Sequence, residues 1–198
     1  MLIKKVIFIF KKKGFLELLR KISEYIYYNL KSKKEFTFFY IDFKNIPDWL
    51  NNSDTDLTIK IAEEKDIQKI LADLTPFLTH TESNDVAFIK KIGMNNFKCF
   101  IVELGGSVVH YSLLFENALE SPLIKTVLDK NLISIDDAYL GTVFTIPSAR
   151  GLWIVPEVLS FIILHLKNRE NIRRLYAIVH KDTSGAVAYY ERLRFKKI

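Results

Sequence analysis

Apolar and polar positions change period several times along the chain, and each change predicts an element. From Phe15, the residues Leu18, Leu19, Ile22 and Ile26 recur at helical spacing, and Leu30 extends the row. Phe36 to Phe43 reads as a strand from its aromatic content. Ile46 to Asp56 holds Pro47 and the polar run Asn51 to Asp56, and it marks the domain boundary. Leu57 to Ala62 then alternates apolar and polar residues as a strand does, and Ile67, Ile70, Leu71 and Leu74 line a helix that ends before Pro76. Thr79 to Asp85, with His80, is a polar connection to a second helix around Val86 to Ile92, which stops at Gly93.

Two apolar runs follow, Phe97 to Leu104 and Ser107 to Phe115. Gly105-Gly106 between them predicts a β-hairpin. The longer connection from Glu116 to Ser134 has room for a helix over Leu123 to Leu128. Ile135 to Ile146 is a strand, Glu157 to Lys167 has the apolar density of a buried helix, and Arg173 to Val179 is another strand. Ala186, Tyr190 and Leu193 share one face of a final helix that stops near Arg194, and Phe195 begins a last, short strand. No internal repeat is visible, which sets solenoids and propellers aside.

Composition fits one globular domain plus an appendage. The chain has 198 residues, of which 49% are hydrophobic and 13% aromatic, enough to build a core. Its single cysteine, Cys99, lies in an apolar run and excludes an internal disulfide, so a cytoplasmic protein is expected. No stretch approaches the length of a membrane span, and Val6 to Phe10 is too short for a signal peptide before Lys11, Lys12 and Lys13 end it.

Charge changes the picture more than its total suggests. Residues 1–34 carry nine lysines and one arginine against two glutamates, a local net charge of +8, which leaves −2 for the rest of a chain whose total is +6. The N-terminal segment is therefore a basic amphipathic helix with Tyr25, Tyr27 and Tyr28 near one end. Two readings fit it: a helix lying on an anionic membrane surface at the inner face, or one that packs its apolar stripe on the body and solvates its charges. Nucleic acid is not the expected partner, because no recognition motif accompanies the basic residues.

The stretch Thr145 to Pro156, T-I-P-S-A-R-G-L-W-I-V-P, lies between a strand and a helix. A turn at Pro147 and a helix start near Gly151 leave backbone N–H groups unpaired. Those donors, with the positive end of the helix dipole, suit an anion such as a diphosphate. Arg150 adds a fixed charge, and Gly151 lets a ligand approach the backbone. On this stretch alone, an ordinary strand–turn–helix connection fits as well.

The downstream pattern narrows the choice. I-P-S-A-R-G-L-W-I is similar to the V-x-P-x-x-R-G-x-G-I diphosphate loop of the GNAT superfamily of N-acetyltransferases, and T-S-G-A-V-A-Y-Y-E-R-L-R-F is similar to its N-x-x-A-x-x-L-Y-E-K-L-G-F segment. With the order of elements, residues 57–198 resemble a GNAT domain, behind a basic extension over residues 1–50. The resemblance implies an α/β fold with a mixed sheet whose strands at Ile135–Ile146 and Arg173–Val179 splay apart for the pantetheine arm of acetyl-CoA. It implies cofactor contacts from Thr145, Ile146, Arg150, Gly151, Leu152, Trp153, Ile154 and Val155, with the amides of Arg150 to Val155 on the diphosphate. Thr183 and Ala186 join them from the second motif. Tyr190 falls on the family's tyrosine, which protonates the leaving thiolate; the alternative for Tyr190 is a core aromatic with its hydroxyl satisfied elsewhere.

Several positions depart from the family pattern. Trp153 replaces a loop glycine, and either points away or fills the diphosphate site. Thr183 replaces an asparagine. Arg194 replaces the glycine of G-F, which predicts a less strained turn. The sequence ends three residues after Phe195, where the family has a further strand. That strand is absent, supplied by a partner, or taken from Phe36–Phe43; a homodimer is among the expected assemblies.

Transfer to an amine needs a base or a water chain. The candidates are His110 in V-V-H-Y-S, which packs in the strand or faces the cleft, and Asp137, since alternation lets only one of Asp136 and Asp137 face it. Asp136 and Asp137 also read as turn residues. Glu103 lies on the same hairpin as His110. His80, His165 and Cys99 have no metal-ligand spacing, so no metal is expected. The T-x-P-x-x-R-G-x-x-I-x-P variant resembles GNAT members that modify sugars and surface polysaccharides, which implies an amino-sugar acceptor. The overall expectation is an acetyl-CoA-dependent N-acetyltransferase. Its rivals are a catalytically inactive binding or regulatory module of the same fold, and a membrane-surface adaptor working through the basic helix.

Overall fold

A computed structural model describes residues 36–46, 57–78, 83–93, 97–124, 132–169, 171–181 and 183–198. The expected N-terminal helix, most of the 46–56 boundary, His80 and most of the expected helix at Leu123–Leu128 lie outside these residues. Seven strands, β1 (Phe36–Asp42), β2 (Thr58–Ile61), β3 (Lys98–Leu104), β4 (Ser107–Phe115), β5 (Asp137–Thr145), β6 (Arg174–His180) and β7 (Lys196–Lys197), form one sheet in the order β2-β3-β4-β5-β6-β1-β7. The helices are α1 (Ile67–Leu74), α2 (Ser83–Ile89), α3 (Ile154–Lys167) and α4 (Ser184–Arg192). Every strand pairing is antiparallel except β5 with β6.

Strand alternation sorts the side chains into two cores, one on each face of the sheet. Phe100, Val102, Leu114, Leu140 and Ala177 pack with Val158, Ile162 and Leu166 of α3 and with Tyr190 and Leu193 around α4. Cys99, Ile101, Leu113, Tyr139 and Tyr176 pack on the other face with Ile70 and Leu74 of α1 and Ile89 of α2. The β3–β4 hairpin turns on Gly105 and Gly106, whose φ of 58° and 83° is the left-handed pair that a two-residue hairpin requires.

The last strand comes from the N-terminal side. β1 pairs along its whole length with β6, from Phe36 opposite His180 to Asp42 opposite Arg174, and β7 pairs with Phe39 and Tyr40 on its outer edge. Of the three sources open in the sequence, the segment Phe36–Phe43 fills the place beside β6. Phe39 and Ile41 are buried there, so the strand is held by core packing as well as by its ladder.

Two irregularities shape the middle of the sheet. β4 has an extra residue between Val102 and Glu103 of its partner, and β5 has one between the pairs Leu114–Leu140 and Ser112–Val143. The second bulge contains Gly141. A Cβ there would meet the Leu113 carbonyl oxygen at 3.3 Å and the Phe115 ring at 3.4 Å, so glycine permits the close approach of β4. Arg194 takes a left-handed φ of 61°, which corrects the expected easier turn: the conformation stays and the arginine bears its strain, about 1–2 kcal/mol for an L-residue.

Candidate active site

The two parallel strands part company partway along. β5 and β6 pair from Asp137–Arg174 to Leu140–Ala177 and no further, although β5 continues to Thr145 and β6 to His180. Beyond the β5 bulge a cleft of about 740 Å³ lies between the end of β5, the loop into α3 and α4, with walls that include Val143, Thr145, Arg150, Trp153, Thr183 and Tyr190. The ladder ends within the two strands for which the resemblance implies a splay.

At the mouth, a 3-10 turn at Pro147–Ala149 leads into the start of α3. The amides of Arg150 and Leu152 are taken by the carbonyls of Pro147 and Ala149, at 3.3 and 3.4 Å. That reduces the expected run of donors from six to four: Gly151, Trp153, Ile154 and Val155, whose N–H groups have no acceptor among the described residues. Pro156 occupies the next position, where its lack of an N–H leaves no orphan donor. Arg150 donates from Nε to the Thr145 carbonyl at 3.1 Å, which pins its guanidinium across the turn.

Trp153 takes a backbone angle that glycine adopts most easily. Its φ is 60°, next to Gly151 at 87°, so the loop retains two left-handed residues. The indole is 66% exposed on the cleft wall. Two expected contacts are corrected. Ile146 donates its N–H to the Val109 carbonyl at 3.0 Å, its own carbonyl accepts from Ala149, and it is not on the cleft wall. Leu152 is also off the wall, 51% exposed, with its amide committed to the turn. Thr183 and Ala186 do line the cleft; Thr183 is the N-cap of α4 and makes no side-chain cap bond.

Tyr190 lies in the same wall and is 7% exposed. Its ring stacks on Phe39 at 5.5 Å and meets Phe195 edge-on at 5.1 Å. Burial pushes its phenol well above the usual tyrosine range, so it stays protonated at any physiological pH. Sequence reasoning missed two neighbours. Phe39 carries no motif, because its pairing spans nearly the whole chain. Tyr189, also on the wall, has a buried hydroxyl with no hydrogen-bond partner among the described residues; the Tyr-Tyr pair was its only signal.

His110 is not a cleft base. It is fully buried, Nδ1 lies 2.8 Å from Thr145 Oγ1, and Nε2 lies 2.7 Å from Ser112 Oγ. With both ring nitrogens engaged, desolvation lowers its pKa to about 3, so the ring is neutral near pH 7. The extra residue in β4 precedes it, a register change that the alternation in V-V-H-Y-S does not reveal. An acid lability follows. Between pH 6.5 and pH 3 the unfolded chain binds a proton that the folded chain refuses, so stability falls as pH falls, by about 1.4 kcal/mol per unit. From pH 6.5 to pH 5 this group alone removes about 2 kcal/mol. In urea titrations across that range, His110→Gln should lose this increment of pH dependence; an unchanged slope would mean that the histidine charges in the native state.

Asp137 is corrected as well. It is fully buried at the start of β5, at the other end of the strand from Thr145, where Arg174 holds it from Nε at 2.9 Å and from a terminal nitrogen at 2.8 Å. The Ser134 amide also donates to it at 2.7 Å. Asp136 pairs with Arg173, and Glu103 with Lys60 and Lys69. Among the described wall residues the titratable side chains are Arg150, Tyr189 and Tyr190, so no carboxylate or imidazole of the described wall is placed to take the amine proton.

No protein-family model matches the chain, and no curated protein sequence does. Solved structures do match. A functionally unknown conserved protein from Staphylococcus epidermidis superposes with a TM-score of 0.56 at 12% identity, over 82% of this chain and 57% of that one. An aminoglycoside N-acetyltransferase in complex with CoA gives 0.54 at 13%, over 71% and 88%. The ribosomal-protein-S18-alanine N-acetyltransferase from Escherichia coli gives 0.52 at 18%, over 69% and 76%. The chain thus spans little more than half the length of the Staphylococcus protein. What these identities establish is the fold, a mixed α/β fold of the GNAT acetyltransferase type.

Proposed function

We propose that the protein is an acetyl-CoA-dependent N-acetyltransferase that transfers the acetyl group directly to an amine. The observation that carries this reading is the parting of β5 and β6 beyond Leu140 and Ala177, with four unpaired amides and Arg150 at one end and Tyr190 in the wall. The amides and the guanidinium offset the diphosphate charge of the donor, and the pantetheine arm runs along β5 where it parts from β6. The amine nitrogen attacks the thioester carbonyl carbon, and the C–S bond breaks as the tetrahedral intermediate collapses. Tyr190 gives its phenolic proton to the departing sulfur and regains one from solvent. The amine proton leaves to water.

The acceptor we infer is the amine of an amino sugar. Its support is the sequence variant of the loop, and the likeness in fold to an aminoglycoside N-acetyltransferase. The likeness to a ribosomal-protein-alanine N-acetyltransferase makes a peptide amine the alternative. Residues 1–34, with a local charge of +8, suit an acceptor carried at an anionic membrane surface. Calorimetry with acetyl-CoA tests the donor, and thiol release with glucosamine-type sugars against alanine-starting peptides tests the acceptor. Micromolar binding with sugar-dependent release is expected; no heat at millimolar acetyl-CoA would overturn the donor reading, and release with peptides alone the acceptor.

A further inference from the structure

We propose that Trp153 is a stacking platform for the adenine ring of the donor, so that this protein holds coenzyme A by its base as well as by its phosphates. The inference rests on the donor reading above. A large aromatic side chain that is 66% exposed on a cleft wall has not been used by the fold: it enters neither hydrophobic core, and no ring or cation–π contact engages it among the described residues. It sits in the middle of the four unpaired amides, flanked by Gly151 and by Ile154 and Val155, with Arg150 beside them. The flat aromatic group covalently nearest to the phosphates of the donor is its adenine. An indole is the strongest stacking surface among side chains, and every purine presents a face to it.

Removing the indole while leaving the loop backbone at ease separates its contribution from that of the amides. Trp153→Gly suits the left-handed φ of this position, so the turn that aims the amides survives. Two ligands are compared: coenzyme A, and 4′-phosphopantetheine, which keeps the arm and one phosphate of the diphosphate but lacks the second phosphate and the 3′-phosphoadenosine that carries the base. Trp153→Gly should weaken coenzyme A about tenfold and change 4′-phosphopantetheine less than twofold, while Trp153→Phe should keep most of the affinity. The chain has two tryptophans, so in a Trp49→Phe background the emission reports Trp153 alone. Coenzyme A should quench it and 4′-phosphopantetheine should not. Equal losses for both ligands in Trp153→Gly, or no quenching by coenzyme A, would overturn the platform and leave the donor reading standing. A wild-type protein that binds neither ligand would overturn the donor reading itself.

Discussion

Tyr190→Phe should lower the rate of acetyl transfer about a hundredfold and leave the affinity for acetyl-CoA within twofold. A correctly placed acid contributes about 10²–10⁴ in rate, and a hundredfold corresponds to about 2.7 kcal/mol of transition-state stabilisation. The ring itself is held by Phe39 and Phe195, and neither contact involves the hydroxyl, so the phenylalanine keeps the packing. The raised phenol pKa at first sight argues against a good acid. In the proposed reaction the leaving thiolate would meet the same desolvated wall, where burial raises its proton affinity too. Single-turnover rates beside calorimetric Kd values distinguish the outcomes. An unchanged rate would remove Tyr190 from the chemistry and leave it a core aromatic.

The position of Tyr190 depends on a strand that the sequence places at the far end of the chain. β1 lies between β6 and β7, and through Phe39 it forms the floor on which the Tyr190 ring rests. Phe36–Phe43, grouped in the sequence with the basic extension, is thus part of the sheet that builds the cleft. The orientation of the proposed acid is coupled to the segment that leaves the N-terminal region and enters the body.

What could be seen in the sequence was local. The Gly105-Gly106 turn, the strand before Pro147 and the helix after it announce themselves because their chemistry is fixed by a few adjacent residues. The cleft was visible in outline for the same reason, since its loop and Tyr190 sit in recognisable short patterns. What stayed hidden depends on distant pairing or on backbone angles. F-T-F-F-Y-I-D-F was one of three sources open for the last strand, but nothing in its residues selects R-L-Y-A-I-V-H as its neighbour. Trp153 and Arg194 stand where glycine is expected, yet both keep the left-handed angle, because the neighbouring elements fix the chain path there. Ile146 was expected among the cofactor contacts; the β4 strand takes its amide. His110 and Asp137 are the residue types that bases are made from, and burial with full hydrogen bonding gives both a structural role.

Asp137→Ala should cost about 3 kcal/mol of stability while leaving acetyl transfer per folded molecule unchanged. Removing one partner of a buried pair leaves the other charge uncompensated, which costs about 3–5 kcal/mol. Arg174 is 30% exposed on its side chain, so water recovers part of that and the low end of the range is expected. The same guanidinium also lies 5.3 Å from the Tyr176 ring centroid and donates to the Leu132 carbonyl at 3.3 Å, contacts that keep it in place once the carboxylate is gone. The distance from the proposed chemistry is set by the strand: Thr145 lies eight steps along from Asp137, roughly 26 Å at about 3.3 Å per step. Urea titration measures the loss, and adding Arg174→Met should restore much of it, because an apolar pair of similar volume avoids the stranded charge. The double mutant therefore should be more stable than Asp137→Ala alone, although it lacks one more native contact. A variant that keeps its stability but loses turnover would reverse the assignment and return Asp137 to the list of catalytic groups.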